Sequence, residues 1–168
     1  MSVSDLLADG FDRIHQVVHA VLDGLSVEDL CYRVDPDANS IGWLVWHLTR
    51  VQDDHVAGVA GLDQVWTEGW QQRAALPYPP MEIGYGQDPR AVADLRLSAE
   101  FLAGYHDATY AQTISVVRGL HEGDLSRIVD RSFSPPVTLS VRMVSVISDD
   151  LQHAGQAAFV RGILRRRR

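Results

Sequence analysis

Lysine is missing from this chain: all 15 basic side chains other than histidine are arginine. No lysine amine is available for Schiff-base chemistry. Cysteine occurs once, as Cys31, which excludes an intramolecular disulfide framework and suits a reducing compartment. Between Leu30 and Tyr32, that thiol reads as small packing volume rather than a nucleophile. No run approaches the roughly 20 apolar residues of a membrane span, and Met1-Ser2-Val3-Ser4-Asp5 lacks the basic segment and apolar core of a secretory signal. A cytoplasmic protein without a membrane partner is expected. Concentrated positive charge is also scarce. The formal net charge is −7, the only basic run is the terminal Arg165-Arg166-Arg167-Arg168, and phosphate binding needs a basic surface. No nucleic-acid partner is expected, and the arginine run reads as a helix end complementing the negative pole of its dipole.

Strict apolar–polar alternation is absent over any useful length, whereas helical periodicity recurs in four segments. With 46% hydrophobic and 22% charged residues, the composition is that of a globular protein. It predicts one all-α domain over residues 1–168. A first helix is expected from Ser4 to Asp23, capped by Ser4 and stopped at Gly24, with Leu7, Phe11, Ile14, Val18, Val21, Leu22 and Leu25 as its stripe. Ser26-Val27-Glu28-Asp29-Leu30 reads as a short helical turn. A second helix, capped by Asn39 or Ser40, reaches about Gly61 with Ile41, Leu44, Leu48, Val51, His55 and Val59 inward. The stretch from Leu62 to Asp88 is rich in proline and aromatics, Trp66, Trp70, Tyr78 and Tyr85 among them, and reads as a lid or crossover connection. A third helix is expected from Pro89 to Leu120 and a fourth from Thr138 or Ser140 to Leu164. Four helices with one long connection make a four-helix bundle with a crossover.

The chemistry gathers in Asp149-Asp150-Leu151-Gln152-His153. Residues four apart share a helix face, so Asp149 and His153 could grip one metal ion. Asp150 falls near the middle of the apolar stripe of Met143, Val146, Ala157, Val160 and Leu164, where an unpaired carboxylate should be met by a cation. From the second helix either His47, between Trp43 and Trp46, or His55, more central on the stripe, could add a third ligand. Two nitrogens, one carboxylate and an open position is the donor set of catalytic zinc, and iron(II) or nickel accept it too. Asp54 reads as an acceptor for a ligand imidazole or as half of a solvated pair with Asp53. His15 and His19 share the i, i+4 spacing but sit off the apolar stripe, and read as a partly exposed face. His106 and His121 read as surface residues.

Ser40-Ile41-Gly42-Trp43-Leu44-Val45-Trp46-His47-Leu48, then Trp66-Thr67-Glu68-Gly69-Trp70, then Asp149-x-x-x-His153-Ala154-Gly155-Gln156 together resemble the DinB-like superfamily, and within it the mycothiol-dependent transferases. The resemblance implies an up-down-down-up bundle, a homodimer, and a divalent metal, zinc first and nickel or iron otherwise, held by His47, Asp149 and His153. It prefers His47 over His55 and Asp149 over Asp150. Asp54 and Gln156 are then expected to orient ligand imidazoles, and Trp70 and Arg73 to contact substrate. The implied function is thiol S-transfer: mycothiol or another small thiol, activated by the metal, attacks an electrophile. A hydrolase using metal-bound water and a non-catalytic stress-related metal-binding protein are the alternatives. Many relatives have histidine or glutamate in place of Asp149, which is one methylene shorter than glutamate, and arginine in place of Ala154. Maleylpyruvate isomerases that share this domain carry a further C-terminal domain, so that activity is not expected here.

Overall fold

Small hydroxyl side chains start the long helices of the computed structural model, which describes residues 2–167. Helix α1 spans Val3–Leu22 and is capped by Ser2, not Ser4. The Ser2 hydroxyl accepts from the Asp5 amide while the Asp5 carboxylate accepts from the Ser2 amide, and this reciprocal box closes only at that spacing. Ser26 caps the single turn α2, Val27–Leu30, in the same way. Ser40 caps α3, Ile41–Ala60, and Gly61 at φ 68° ends it in the left-handed conformation that glycine tolerates. The connection that follows contains a 3-10 turn, Val65–Thr67, and a short helix α4, Trp70–Ala74.

The expected third helix is broken in two. Helix α5, Pro89–Asp94, stops at an extended Leu95, and α6, Ala99–Arg118, restarts where the Ser98 hydroxyl takes the Phe101 amide. Leu95 and Leu97 are both buried. Residues two apart share a face only in extended chain, so burying both leucines requires the break. A two-stranded antiparallel hairpin, β1 Ile128–Asp130 and β2 Val137–Thr138, departs from the purely helical expectation. It is too short to display alternation. Thr138 then caps α7, Leu139–Arg166.

Helices α1 and α3 each pack against both α6 and α7. Pairings give the directions. Thr49 and Gln52 meet His106 and Thr113 in rising order, so α3 and α6 run parallel. Asp12 and His15 meet Tyr110 and Asp107 in falling order, so α1 opposes α6. Leu44 lies by Gln156 and Val160 whereas His55 lies by Arg142, so α7 opposes α3. The result is an all-α, up-down-down-up bundle with a crossover between the parallel helices α3 and α6. Among the described residues no helix is long and apolar enough to cross a membrane.

Helix α3 is buried on every side from Ile41 to Asp53, because the crossover covers the face turned away from the bundle. Four polar groups anchor that cover. The fully buried Arg50 donates to the Glu82 carbonyl at 3.1 Å, to Gln64 Oε1 at 2.9 Å, to the Tyr105 hydroxyl at 3.1 Å and to Asp53 at 3.4 Å. Asp53 accepts from Tyr105 at 2.8 Å and from the amides of Val65 and Trp66 at 2.9 and 2.8 Å. Burial pushes the Asp53 carboxyl up, and these donors and Arg50 pull it back. Asp53→Ala leaves the guanidinium buried and uncompensated, so the free energy of unfolding should fall by about 3–5 kcal/mol in urea denaturation. A loss of the size of a surface pair, about 0–1 kcal/mol, would show that the pair does not hold the connection.

Candidate metal centre

Three side chains expected as ligands converge at the seam of α3 and α7. His47, Asp149 and His153 each offer a ligand atom, and these atoms lie within 4.8 Å of one another. His47 and His153 meet edge to face with ring centres 4.8 Å apart, and His153 Nε2 lies 3.8 Å from Asp149 Oδ2. The short Asp149 side chain therefore reaches the common space.

Each imidazole has its Nδ1 engaged elsewhere. His47 Nδ1 donates to the Ile83 carbonyl, and His153 Nδ1 lies 2.8 Å from Gln156 Oε1, which can only accept. Nδ1 is thus the protonated nitrogen on both rings and Nε2 carries the lone pair, the arrangement that ligand histidines adopt. Burial pulls His47 below the ordinary histidine range, opposed by its bond to Ile83, and so favours the neutral ring. Among the described residues Asp149 Oδ2 is buried without a hydrogen-bond partner. Two free imidazole lone pairs facing an orphaned carboxylate oxygen fit a divalent cation of the borderline class, zinc, nickel or iron(II).

The crossover reaches this centre through Ile83 and Gly84, which sequence reasoning did not single out, and Tyr85, which it named only among the aromatics of the connection. Glu82 accepts from the amides of Ile83 and Gly84 at 2.9 and 2.6 Å, folding the chain over His47. Gly84 has φ 104°, and a Cβ there would lie 2.6 Å from His47 Nδ1 and 2.9 Å from the Trp43 ring. Only glycine fits. Tyr85 stands edge-on to His47 at 5.1 Å, and the Trp43 ring stacks on His47 at 17° and 4.7 Å. The one sequence signal was Gly84 itself, between Ile83 and Tyr85 in a proline-rich loop.

Other expected residues lie apart from the ligands. Asp54 accepts from Gln64 Nε2 at 2.8 Å and faces its neighbour His55 at 3.4 Å, so it orients neither His47 nor His153 through these contacts. His55 stands with Gln64, Asp130 and Arg142 around a cleft of about 320 Å³. Trp70 packs on Gly104, Phe101 and Tyr105, with the Arg73 guanidinium over its ring at 4.2 Å. His106, expected at the surface, is fully buried. Asp150, expected to meet a cation, is fully buried with neither oxygen hydrogen-bonded. Burial, then the neighbouring Asp149 charge, pushes its carboxyl well above the usual range.

The sequence model of the mycothiol-S-transferase family matches residues 6–166. The crystal structure of a conserved protein from Enterococcus faecalis is similar at 30% identity and TM-score 0.89, over 96% of this chain and 96% of that one. A DinB-like protein from Bacillus cereus ATCC 10987 is similar at 16% identity and TM-score 0.57, over 92% of this chain and 87% of that one, a likeness of fold alone. No protein of curated function matches.

Gly84→Ala should push Ile83 off His47 Nδ1 and weaken divalent-metal binding about 10–100-fold, the usual consequence of losing a ligand's outer partner. Competition with a chromophoric chelator measures it, and unchanged affinity would dissociate the Ile83 contact from the centre. For Asp150 the folded state keeps a proton that the unfolded state releases, so its contribution falls as pH rises above the ordinary carboxylate pKa toward the raised one. Asp150→Asn should therefore be more stable than wild type at neutral pH, with the advantage vanishing toward pH ~4, the ordinary carboxylate range. A pH-independent difference in urea midpoints would contradict this.

Proposed function

Since the chain belongs to the mycothiol-S-transferase family, we propose that it is a metal-dependent thiol S-transferase whose ion is held by His47, Asp149 and His153. The observation that carries this reading is the pairing of two imidazoles free at Nε2 with the orphaned oxygen of Asp149. A divalent ion, zinc by donor set, would lower the pKa of a small thiol such as mycothiol so that its sulfur is presented as a thiolate. The remaining work falls to the chain. Ile83 and Gln156 fix the two rings by their Nδ1 protons, and Trp43 and Tyr85 hold the His47 plane and exclude water from its flank.

The electrophile is assigned to the cleft of Asp54, His55, Gln64, Asp130 and Arg142. Two observations support it. The charge of Asp149 acts on His55, so this side of the cleft lies within electrostatic reach of the ligands. Arg142, held by Asp130 at 2.8 Å, supplies a cation for a substrate or departing anion. His55 is pulled below the ordinary histidine range, first by burial and then by Arg142, and so stands neutral in the cleft. Trp70 and Arg73, stacked against α6, are a less direct choice for substrate contact than this wall.

Protein purified without added metal should carry a divalent ion by elemental analysis, and thiol conjugation of a model electrophile should depend on both ion and thiol. His153→Ala should lower turnover at least about 100-fold, beyond what loss of an outer partner does. Turnover that is complete without any thiol would replace transfer by hydrolysis. Undiminished metal content in His47→Ala and His153→Ala would remove the centre altogether.

A further inference from the structure

The seam of α1 and α6 carries a second set of two imidazoles and one carboxylate. We propose that His15, His19 and Asp107 form a second divalent-metal site, independent of the ligands at the α3–α7 seam. His15 and His19 are four residues apart and share one face of α1, the spacing by which a helix chelates an ion with two imidazoles. Asp107 comes to them from α6. Its Oδ1 lies 2.8 Å from His15 Nε2 and 2.6 Å from His19 Nε2, and the three ligand atoms fall within 4.8 Å of one another.

The surroundings hold these groups in place without closing them off. Tyr110 stacks on the His15 ring at 4.2 Å and its hydroxyl donates to Asp12, one turn before His15. His106 stacks on the same ring at 5.7 Å. It is fully buried, with Nδ1 3.1 Å from the Thr49 hydroxyl and Nε2 without a partner, so a further imidazole nitrogen stands behind the cluster. The His15, His19 and Asp107 side chains are 28%, 42% and 50% exposed, which leaves an ion a path from solvent.

The donor set selects the ligand class. Calcium and magnesium take oxygen ligands, whereas two imidazoles with one carboxylate suit zinc, nickel or copper(II). Each imidazole must present an unprotonated Nε2 to the ion, so two contacts to Asp107 Oδ1 are exchanged for two metal–nitrogen bonds and one metal–oxygen bond. The protons move to Nδ1 or to solvent. The bound ion ties α1 to α6, and because it binds only the folded seam it stabilises the bundle by mass action.

Zinc or cobalt(II) titrated into metal-stripped protein, followed by elemental analysis and cobalt absorption, should give two ions per chain. His153→Ala should retain one. His15→Gln and Asp107→Asn, each with a wild-type circular dichroism spectrum, should also retain one, and His15→Gln/His153→Ala none. Zinc should raise the melting temperature of His153→Ala and not that of the double variant. A wild-type stoichiometry of one that falls to zero in His153→Ala, or two ions retained in both His15→Gln and Asp107→Asn, overturns the site. The first result leaves the proposed transferase centre standing, whereas a lone ion lost only with His15 would overturn that centre and keep this one.

Discussion

The guanidinium of Arg50, buried completely inside the bundle, determines where the crossover lies and through it how the candidate centre is built. A buried ion pair is weak evidence of net stability, because desolvating two charges cancels much of their attraction. Its effect here is positional. One cation takes the Glu82 carbonyl and Gln64 from the connection, Tyr105 from α6 and Asp53 from its own helix. Glu82 in turn receives the amides of Ile83 and Gly84, and the Ile83 carbonyl receives the Nδ1 proton of His47. A continuous chain of hydrogen bonds thus runs from a charge on α3 out into the loop and back to α3 one turn earlier. The imidazole that would bind a metal is oriented by a segment more than 30 residues away because Arg50 holds that segment down.

Asp149 and Asp150, neighbours in sequence, stand in different surroundings, Asp149 partly exposed and Asp150 fully buried. Consecutive residues on a helix are turned roughly 100° apart, so when Asp149 faces the histidines, Asp150 is driven into the apolar interior. Among the described residues neither oxygen finds a hydrogen-bond donor. A carboxylic acid that burial pushes toward its neutral form, beside a candidate ligand, breaks the rule that buried polar groups are paired. Such breaches concentrate at functional sites, where local stability is given up for arrangement. The expectation that a cation would face the helix interior fails because the apolar neighbours, rather than a counter-charge, neutralise the group by raising its pKa.

Periodicity made α1 legible because only one face is buried: Leu7, Phe11, Ile14, Val18, Val21 and Leu22 are its buried residues, as the stripe requires. It could not rank His47 above His55 on α3, since a helix covered on every side has no single inward stripe. The resemblance separated the two where physical patterning did not. Local capping chemistry narrowed the starts of α3 and α7 to Asn39 or Ser40 and Thr138 or Ser140, of which Ser40 and Thr138 are the caps, but misplaced the start of α1, and hydrophobic pattern alone ran α5 and α6 together across the extended Leu95–Leu97 segment. What stayed illegible is contact at long sequence separation. Nothing near His47 announces Ile83, and nothing near His15 and His19 announces Asp107, which lies about 90 residues further along. Two histidines at helical spacing look alike in sequence whether they face water or a carboxylate.

The two seams use the same donor types under opposite conditions, and this difference ranks them. At the α3–α7 seam both Nδ1 protons are committed to a carbonyl and an amide oxygen, so Nε2 is ready to bind before any ion arrives. Burial of His47 further favours its neutral, ligating form. At the α1–α6 seam the Nε2 atoms themselves contact Asp107, and an ion must displace two hydrogen bonds at a partly exposed surface. Preorganisation that lowers the cost of binding belongs to the first centre alone. An ion held there would therefore bind the more tightly of the two, beside the aromatic rings of Trp43 and Tyr85 that pack on His47. The ion at α1–α6 is the weaker, exchangeable one, and it acts on the bundle through the two helices that it joins.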